Sequence, residues 1–353
     1  MDKSRKTSFD ILRILAAFSV VMLHVSSRYI MGNPVDSADF YFANFYDSIN
    51  RFGVPIFVMI SGAIFLDKEK EIDIKRLWIH NILRILIVFI LWNYVYYVYQ
   101  SIHEWHFDFI HASVERTIKG IVYGSDHLWF LAMLIGLYVL VPVLRTWLVK
   151  ATKQNIEYFL MMFLIFNVLK TSAVLITESS MVFKLSQTFS FVEFSGFLGY
   201  FVLGYYLTNF EPPKRLRQAM YISVPFAAAL NYLISMKLSL RDGAYNPGVY
   251  DCFGIFTFIE VTALFMAVTI LMKRRKKDFR PATVKFLKNV SNDTFGVYLI
   301  HLGIIDYLFT EGYFEYFTPA AGIQIPLALA IFICSALVSA LLRRIPVVGR
   351  YIC

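Results

Sequence analysis

The sequence predicts an all-α membrane protein: a single bundle of about ten transmembrane helices with both termini cytoplasmic. Three observations carry this reading. Of 353 residues, 58% are apolar and only 17% charged, and the mean hydropathy is +0.58. The apolar residues gather in runs close to the ~20 that a helix needs to cross a bilayer. Lys and Arg concentrate in alternate connecting segments. A soluble domain is about 45–50% apolar and about 25% charged, and one of this length could not bury so much apolar surface. The same balance excludes a disordered chain, a collagen-like chain and a disulfide scaffold.

Ten apolar runs follow one another at 9–30, 52–66, 77–100, 127–146, 156–176, 188–208, 218–237, 251–272, 291–310 and 321–342. The run at 52–66 is short, and the residues before it are expected to extend it. The start of the chain is basic and then apolar, without a small-residue cleavage site, so 9–30 reads as a retained span. The longest gap, 101–126, is too short for a soluble domain, so residues 1–353 are expected to form one membrane domain. With the N-terminus inside, the inner segments hold 24 Lys and Arg, including Lys273 to Lys277, Arg343, Arg344 and Arg350. The outer segments hold 7: Arg28, Arg51, Arg116, Lys119, Lys184, Lys237 and Arg241. This is a strong positive-inside bias. The net charge of +9 therefore reads as topology, with membrane lipids and no nucleic acid as partners. Cys252, Cys334 and Cys353 form no CxxC pair and read as apolar side chains, with no metal site.

Ionisable residues inside spans are costly and so mark function. The first run holds Asp10, Arg13 and His24; the third His80 and Arg84; the fifth Lys170; the eighth Glu260; the ninth His301 and Asp306. Arg13 and His24 are eleven positions apart, which on a helix returns to within roughly 20° of the same direction, about 16 Å further along the axis. Asp10 stands three residues before Arg13 and can pair with it. A cation near the cytosol and an imidazole deep on the same line suit a long anionic ligand, and the pantetheine arm of coenzyme A has about that reach. The plainer alternative is a snorkelling Arg13 and a buried, satisfied His24. Arg76, His80 and Arg84 are spaced to line one helix face, or to form a basic cytoplasmic flank. Tyr94, Tyr96, Tyr97 and Tyr99 read as an interfacial aromatic belt or a sugar-stacking platform. Lys170 and Glu260 are candidates for an intramembrane pair.

At these residues the chain resembles the acyltransferase 3 family of bacterial integral membrane acyltransferases. The Asp10-x-x-Arg13 pattern followed by His24 is similar to the family's early motif. VPIFVMISG at Val54 to Gly62, HLWFL at His127 to Leu131 with Tyr138 and Pro142 beyond it, FLGYFVLGYYL from Phe197, and FGVYLIH ending at His301 also resemble family segments in order. The resemblance implies transfer of an acetyl or related acyl group from cytoplasmic acyl-CoA to a hydroxyl of a glycan or its lipid-linked precursor, in a bacterial cytoplasmic membrane. It implies a catalytic His24 and a donor site at Arg13 and Arg84, to which Asp10, Arg76, His80, Ser61 and Trp129 are added as donor-binding candidates. His127 and His301 are candidates for the acceptor. Acetyl-CoA or another acyl-CoA is the expected co-substrate. A second Arg common in the family is replaced here by Asn81, and Ala63 stands where an aromatic residue is common. Gly62 equally suits close helix contact.

Two readings stand beside the enzyme: a transporter or exporter of glycans or small solutes, and a membrane module serving a partner protein. The Arg13–His24 line favours the enzyme, because a permeation path has no need of a phosphate-binding cation at one end and a base at the other. The sequence leaves a homo-oligomer open.

Overall fold

The computed structural model describes residues 3–103, 125–177 and 192–346, with positions 179, 181, 183, 184 and 349. Arg116, Lys119, Arg350, Cys353 and the start of the run at 188–208 lie outside the described residues. Among those described there is no strand. The helices are α1 (Lys3–Gly32), α2 (Ala38–Ser48), α3 (Gly53–Phe65), α4 (Ile74–Arg76), α5 (Leu83–His103), α6 (Trp129–Lys150), α7 (Lys153–Phe163), α8 (Lys170–Thr177), α9 (Val192–Asn209), α10 (Lys214–Asp242), α11 (Ile255–Arg274), α12 (Pro281–Thr310) and α13 (Ala320–Leu342). Two π-helical stretches, Leu77–Ile82 and Leu164–Leu169, join α4 to α5 and α7 to α8.

Local chemistry sets several of these boundaries. Ser37 caps α2 by accepting from the Phe40 amide at 3.1 Å, and Thr152 caps α7 by accepting from the Asn155 amide at 3.2 Å. Pro281 opens α12, where its missing N–H costs nothing. Gly243, at φ 64, ends α10 in the left-handed conformation that glycine adopts without strain. Pro142 lies within α6, and the Thr146 hydroxyl donates to its carbonyl at 3.0 Å.

Eight segments of the described residues are long and apolar enough to cross a membrane. They are Lys6–Gly32, Ala38–Phe65, Ile74–Ile102, Asp126–Lys150, Lys153–Thr177, Lys214–Asp242, Ile255–Arg274 and Ala320–Leu342. As expected, the short run at 52–66 is lengthened by the residues before it, through α2. The runs at 188–208 and 291–310 form helices α9 and α12, but neither is among the eight. α12 carries Lys285, Lys288, Asp293, His301 and Asp306, which lower its apolar content.

The surface pattern inverts that of a soluble protein. On α10, Ile222, Phe226, Leu230 and Leu233 are exposed, while Asn231, Ser235 and Ser239 are buried. On α13, Ile325, Leu329, Ile333, Leu337 and Leu341 form an exposed apolar stripe with a four-residue repeat. Such stripes meet lipid favourably, and the polar residues find partners inside. One buried cluster joins α2 to α10 and the loop after it. There the Tyr250 hydroxyl donates to Asn44 Oδ1 at 2.6 Å, Ser235 reaches the same oxygen at 3.2 Å, and Arg51 pairs with Asp47. The Tyr245 hydroxyl donates to Asp47 Oδ2 at 2.8 Å; burial first, and then that carboxylate, pushes this phenol well above its ordinary pKa and keeps it a donor.

α1 is the hub. It packs against α2, α3, α11, α12 and α13, and its Phe9, Leu12, Ala16, Val21 and Val25 are fully enclosed. α3 and α9 make the closest helix contact. A Cβ on Gly62 would stand 1.8 Å from the Phe201 carbonyl oxygen, and one on Gly204 would stand 2.0 Å from the Met59 carbonyl oxygen. Only glycine permits this approach.

Candidate active site

α1, α3, α5 with the π-helical stretch before it, α6 and α12 line a cavity of about 520 Å³. Arg13, Ser61, His80 and Arg84 line it, so four of the sequence-predicted donor residues come together. Arg13 is held by Asp10 at 3.4 Å, and Asp10 in turn accepts from the Ser291 hydroxyl at 2.8 Å, which fastens α1 to α12. Arg84 lies 6.0 Å from the Phe295 ring centroid. Asn81, which replaces a basic residue common in the resembled family, lines the same cavity, as does Arg343. Arg343 pairs with Asp293 at 2.6 Å. The sequence reading had placed Arg343 only among the cytoplasmic charges; its nearness to Arg13 depends on α13 packing beside α1 and leaves no local signal.

Arg76 lines a separate, adjoining cavity of about 340 Å³ with Lys70 and Arg145. The expected single face through Arg76, His80 and Arg84 therefore divides between two cavities. The physical reason is the π-helical stretch at Leu77–Ile82, whose wider turn breaks the 100° spacing that the expectation assumed. Trp129 is displaced as well. It is 46% exposed, lies against Phe197 at 5.6 Å and does not line the main cavity.

The deep end of the cavity is Phe130 and Tyr298. Behind it stand the three histidines that the sequence singled out. The ring centroids of His24 and His301 are 5.1 Å apart, His127 and His301 5.6 Å, and His24 and His127 6.5 Å. His24 is half-buried, whereas His301 is fully enclosed and His127 nearly so. His301 Nδ1 meets the Val297 carbonyl at 2.9 Å. His127 Nδ1 meets the Ser125 hydroxyl at 2.9 Å, and the Ser125 amide donates to Asn93 Oδ1 at 3.0 Å. The Tyr298 hydroxyl donates to the His127 carbonyl at 2.6 Å. Tyr298 therefore lines the cavity, packs its ring against the imidazoles of His127 and His301, and donates to the His127 main chain.

Tyr96 contributes in a way that its sequence did not signal. It is buried, not part of an exposed belt, and its ring lies 5.0 Å from that of His127. Its hydroxyl donates to the Leu299 carbonyl at 2.8 Å and accepts from the Gly303 amide at 3.0 Å. Those two groups are the i and i+4 partners of an ordinary helix, so the phenol enters the α12 ladder at His301. Tyr94 is exposed and fits the belt reading; Tyr97 is buried.

Other intramembrane charges resolve differently. Arg28 pairs with Asp306 one turn beyond the histidines, closing α1 onto α12. Glu260 is buried with both carboxylate oxygens unpartnered, and no pair with Lys170 forms. Cys252 is a free thiol whose pKa burial pushes up to about 12, which suits an inert side chain and not a thiolate nucleophile. Among the described residues no group of three His, Cys, Asp or Glu is placed to hold a metal ion, the three histidines included.

This arrangement, a cavity lined by Arg13, His80, Arg84 and Arg343 beside a cluster of three imidazoles, is the context in which the comparison with known families bears. Residues 6–344 match the family model of an acyltransferase domain. The chain belongs to the acyltransferase 3 family. No curated protein and no solved structure matches the chain. As a member of the acyltransferase 3 family this is a membrane acyltransferase, and the match spans essentially the whole helical bundle.

Proposed function

We propose that this protein is an O-acyltransferase that moves an acetyl or related acyl group from cytoplasmic acyl-CoA to a hydroxyl of an extracytoplasmic or lipid-linked glycan. In this reading it lies in a bacterial cytoplasmic membrane with both termini inside and about ten crossings. The observation that carries it is adjacency. Arg13, His80 and Arg84 line the same cavity as Tyr298, and the Tyr298 ring packs against His127 and His301, the neighbours of His24.

The donor's phosphates rest on Arg13 and Arg84, whose planar guanidinium forks suit phosphate oxygens. The thioester arm runs along the cavity toward His24. There the acceptor oxygen attacks the thioester carbonyl carbon as its proton passes to His24. The tetrahedral intermediate collapses with loss of the C–S bond, and the proton returns from His24 to the thiolate. The products are an ester and coenzyme A. The charged nucleotide stays at the cytoplasmic mouth, because its passage through the bilayer would be costly.

The test uses purified protein in detergent or nanodiscs. Calorimetry should detect binding of acetyl-CoA, and binding should weaken in Arg13→Ala and Arg84→Ala. Unaltered binding in both variants would remove the cavity from the donor's path. A protein that binds no acyl-CoA but carries a glycan across vesicles would establish the transporter reading instead.

A further inference from the structure

The three histidines differ in what their surroundings dictate. A carbonyl oxygen only accepts hydrogen bonds, so the 2.9 Å contact between His301 Nδ1 and the Val297 carbonyl requires the proton on Nδ1. In the neutral ring, Nε2 then carries the lone pair. That Nε2 is buried and has no partner. His301 is wholly enclosed, so it does not meet substrate; its imidazole neighbours are His24 on α1, at a ring separation of 5.1 Å, and His127, edge-on at 5.6 Å. The turn that bears His301 is held twice over. Tyr96 bonds to Leu299 and Gly303 on either side of it, and Tyr298, three residues before it, is fixed to the His127 carbonyl. An imidazole held in one tautomer, with its free acceptor beside a half-buried imidazole, is the arrangement of a base and the group that orients it.

We infer that His301 is a positioning residue: its Nε2 accepts the ring N–H of His24, so that the other His24 nitrogen is the one presented, unprotonated, to the acceptor hydroxyl. The inference rests on the reading of His24 as the base. The chain of groups is then Val297 carbonyl, His301, His24 and acceptor hydroxyl, each donating toward the carbonyl end. When the acceptor oxygen bonds to the thioester carbon, its proton moves to the free nitrogen of His24. The resulting imidazolium keeps its hydrogen bond to His301. It then gives the acquired proton to the departing thiolate, so His24 returns to its starting tautomer and no proton is gained or lost. Without His301 the two tautomers of His24 compete, and one of them turns a donor toward the hydroxyl.

Two variants separate orientation from packing. His301→Phe fills the space and removes the acceptor; His301→Gln keeps an amide oxygen able to accept from His24. Loss of a base's correct form costs about 10²-fold or more in rate, so His301→Phe should lose at least about that in kcat, with acetyl-CoA affinity unchanged. His301→Gln should recover about tenfold or more of the loss, since its amide oxygen restores the hydrogen-bond acceptor. Equal losses in the two variants, or a kcat for His301→Phe within about threefold of wild type, would overturn the inference. A second readout does not need activity. ¹⁵N spectra of histidine-labelled protein, with the His24 signal assigned from His24→Ala, report ring tautomers directly. A single His24 tautomer in the wild type that becomes a mixture in His301→Phe supports the inference. A mixture already present in the wild type overturns it, even where the variants fail to fold. If the wild type transfers no acyl group, the proposed function fails while the spectra still decide the His24–His301 relationship.

Discussion

The Tyr298 hydroxyl donates to the main-chain carbonyl of His127 at 2.6 Å, joining α12 to the turn that opens α6. Tyr298 also lines the deep end of the cavity. One side chain thus fixes the distance between the space for a donor and the imidazoles. Tyr298→Phe keeps the ring and leaves the buried carbonyl without its partner, a loss of about 1–3 kcal/mol. The expected outcome is a lower melting temperature and a lower kcat, with acetyl-CoA affinity close to wild type. Thermal unfolding and a transfer assay on the same preparation check it.

His24→Ala is expected to fold, insert and bind acetyl-CoA, yet to lose about 10²–10⁴-fold in transfer, the usual contribution of a positioned base. Radiolabelled acetyl transfer, beside calorimetric binding, measures both quantities. Near-normal transfer by a well-folded His24→Ala protein would remove His24 from the chemistry.

Arg13 and Arg84 border the cavity from different elements, so their effects on the donor should be largely independent. Hydrogen bonds to charged groups contribute about 1.5–3 kcal/mol each, which is roughly a 10–100-fold change in Kd. Arg84→Ala should therefore weaken acetyl-CoA binding by about that factor. Arg13→Lys keeps the charge and loses the fork, so it should weaken binding less than Arg13→Ala but measurably. Truncated donors lacking the phosphates, such as acetyl-pantetheine, should be insensitive to all three changes.

The helical class and the polar positions were legible because each rests on local composition. Apolar runs mark helices, and a charge inside a run is conspicuous wherever it stands. Helical arithmetic sets Arg13 and His24 eleven positions apart on one α-helix, and α1 spans both; Arg13 lines the cavity and His24 stands in the histidine cluster. The same arithmetic failed for Arg76, because nothing in Leu-Trp-Ile-His-Asn-Ile announces a π-helical turn. Arg343 and Tyr96 were missed for another reason. Their roles come from partners distant in sequence: Asp293 and the cavity for one, Leu299 and Gly303 for the other. Trp129 reads from the sequence as a donor contact or as an interfacial aromatic, and its exposure and packing against Phe197 fit the second. The Phe295-to-His301 segment did carry a usable signal, since Tyr298 and His301 are three residues apart and share a helix face.

Gly62 separates a packing role from a chemical one. A methyl group there would collide with the Phe201 main chain, which cannot turn aside as a flexible side chain would. Overpacking of this kind costs about 1–3 kcal/mol, occasionally more. Gly62→Ala and Gly204→Ala should each lower the melting temperature and the yield of folded protein, while the fraction that folds keeps its affinity for acetyl-CoA. Ser61→Ala, one residue away and facing the cavity, should show the opposite profile: normal stability with altered donor affinity. A stable Gly62→Ala protein would mean that α3 and α9 are not in contact at this point.

α12 is one of two long helices outside the eight candidate spans among the described residues, and whether it crosses bears on the topology. Its composition alone falls short of a span, because Asp293, His301 and Asp306 lie within it. Yet each of these has a partner inside the bundle: Asp293 has Arg343 and the Ser339 hydroxyl, Asp306 has Arg28, and the Nδ1 of His301 has the Val297 carbonyl. A polar group that is paired inside a bundle does not meet lipid, so its cost in a span is much reduced. α12 also packs along α1 and α13, both of which are long and apolar enough to cross. Its start follows the basic run Lys273 to Lys277, and its far end leads to the exposed Tyr316. The expected outcome is that these two ends lie on opposite sides. In a background with Cys252, Cys334 and Cys353 replaced by Ser, single cysteines at Lys277 and Tyr316 would be treated with a membrane-impermeant thiol reagent in intact cells. Tyr316→Cys should label at once, and Lys277→Cys only after permeabilisation. Labelling of both from the same side would remove α12 from the crossings. Labelling of Lys277→Cys alone from outside would reverse the orientation that places Arg13 next to the cytosol, and with it the side from which acyl-CoA enters.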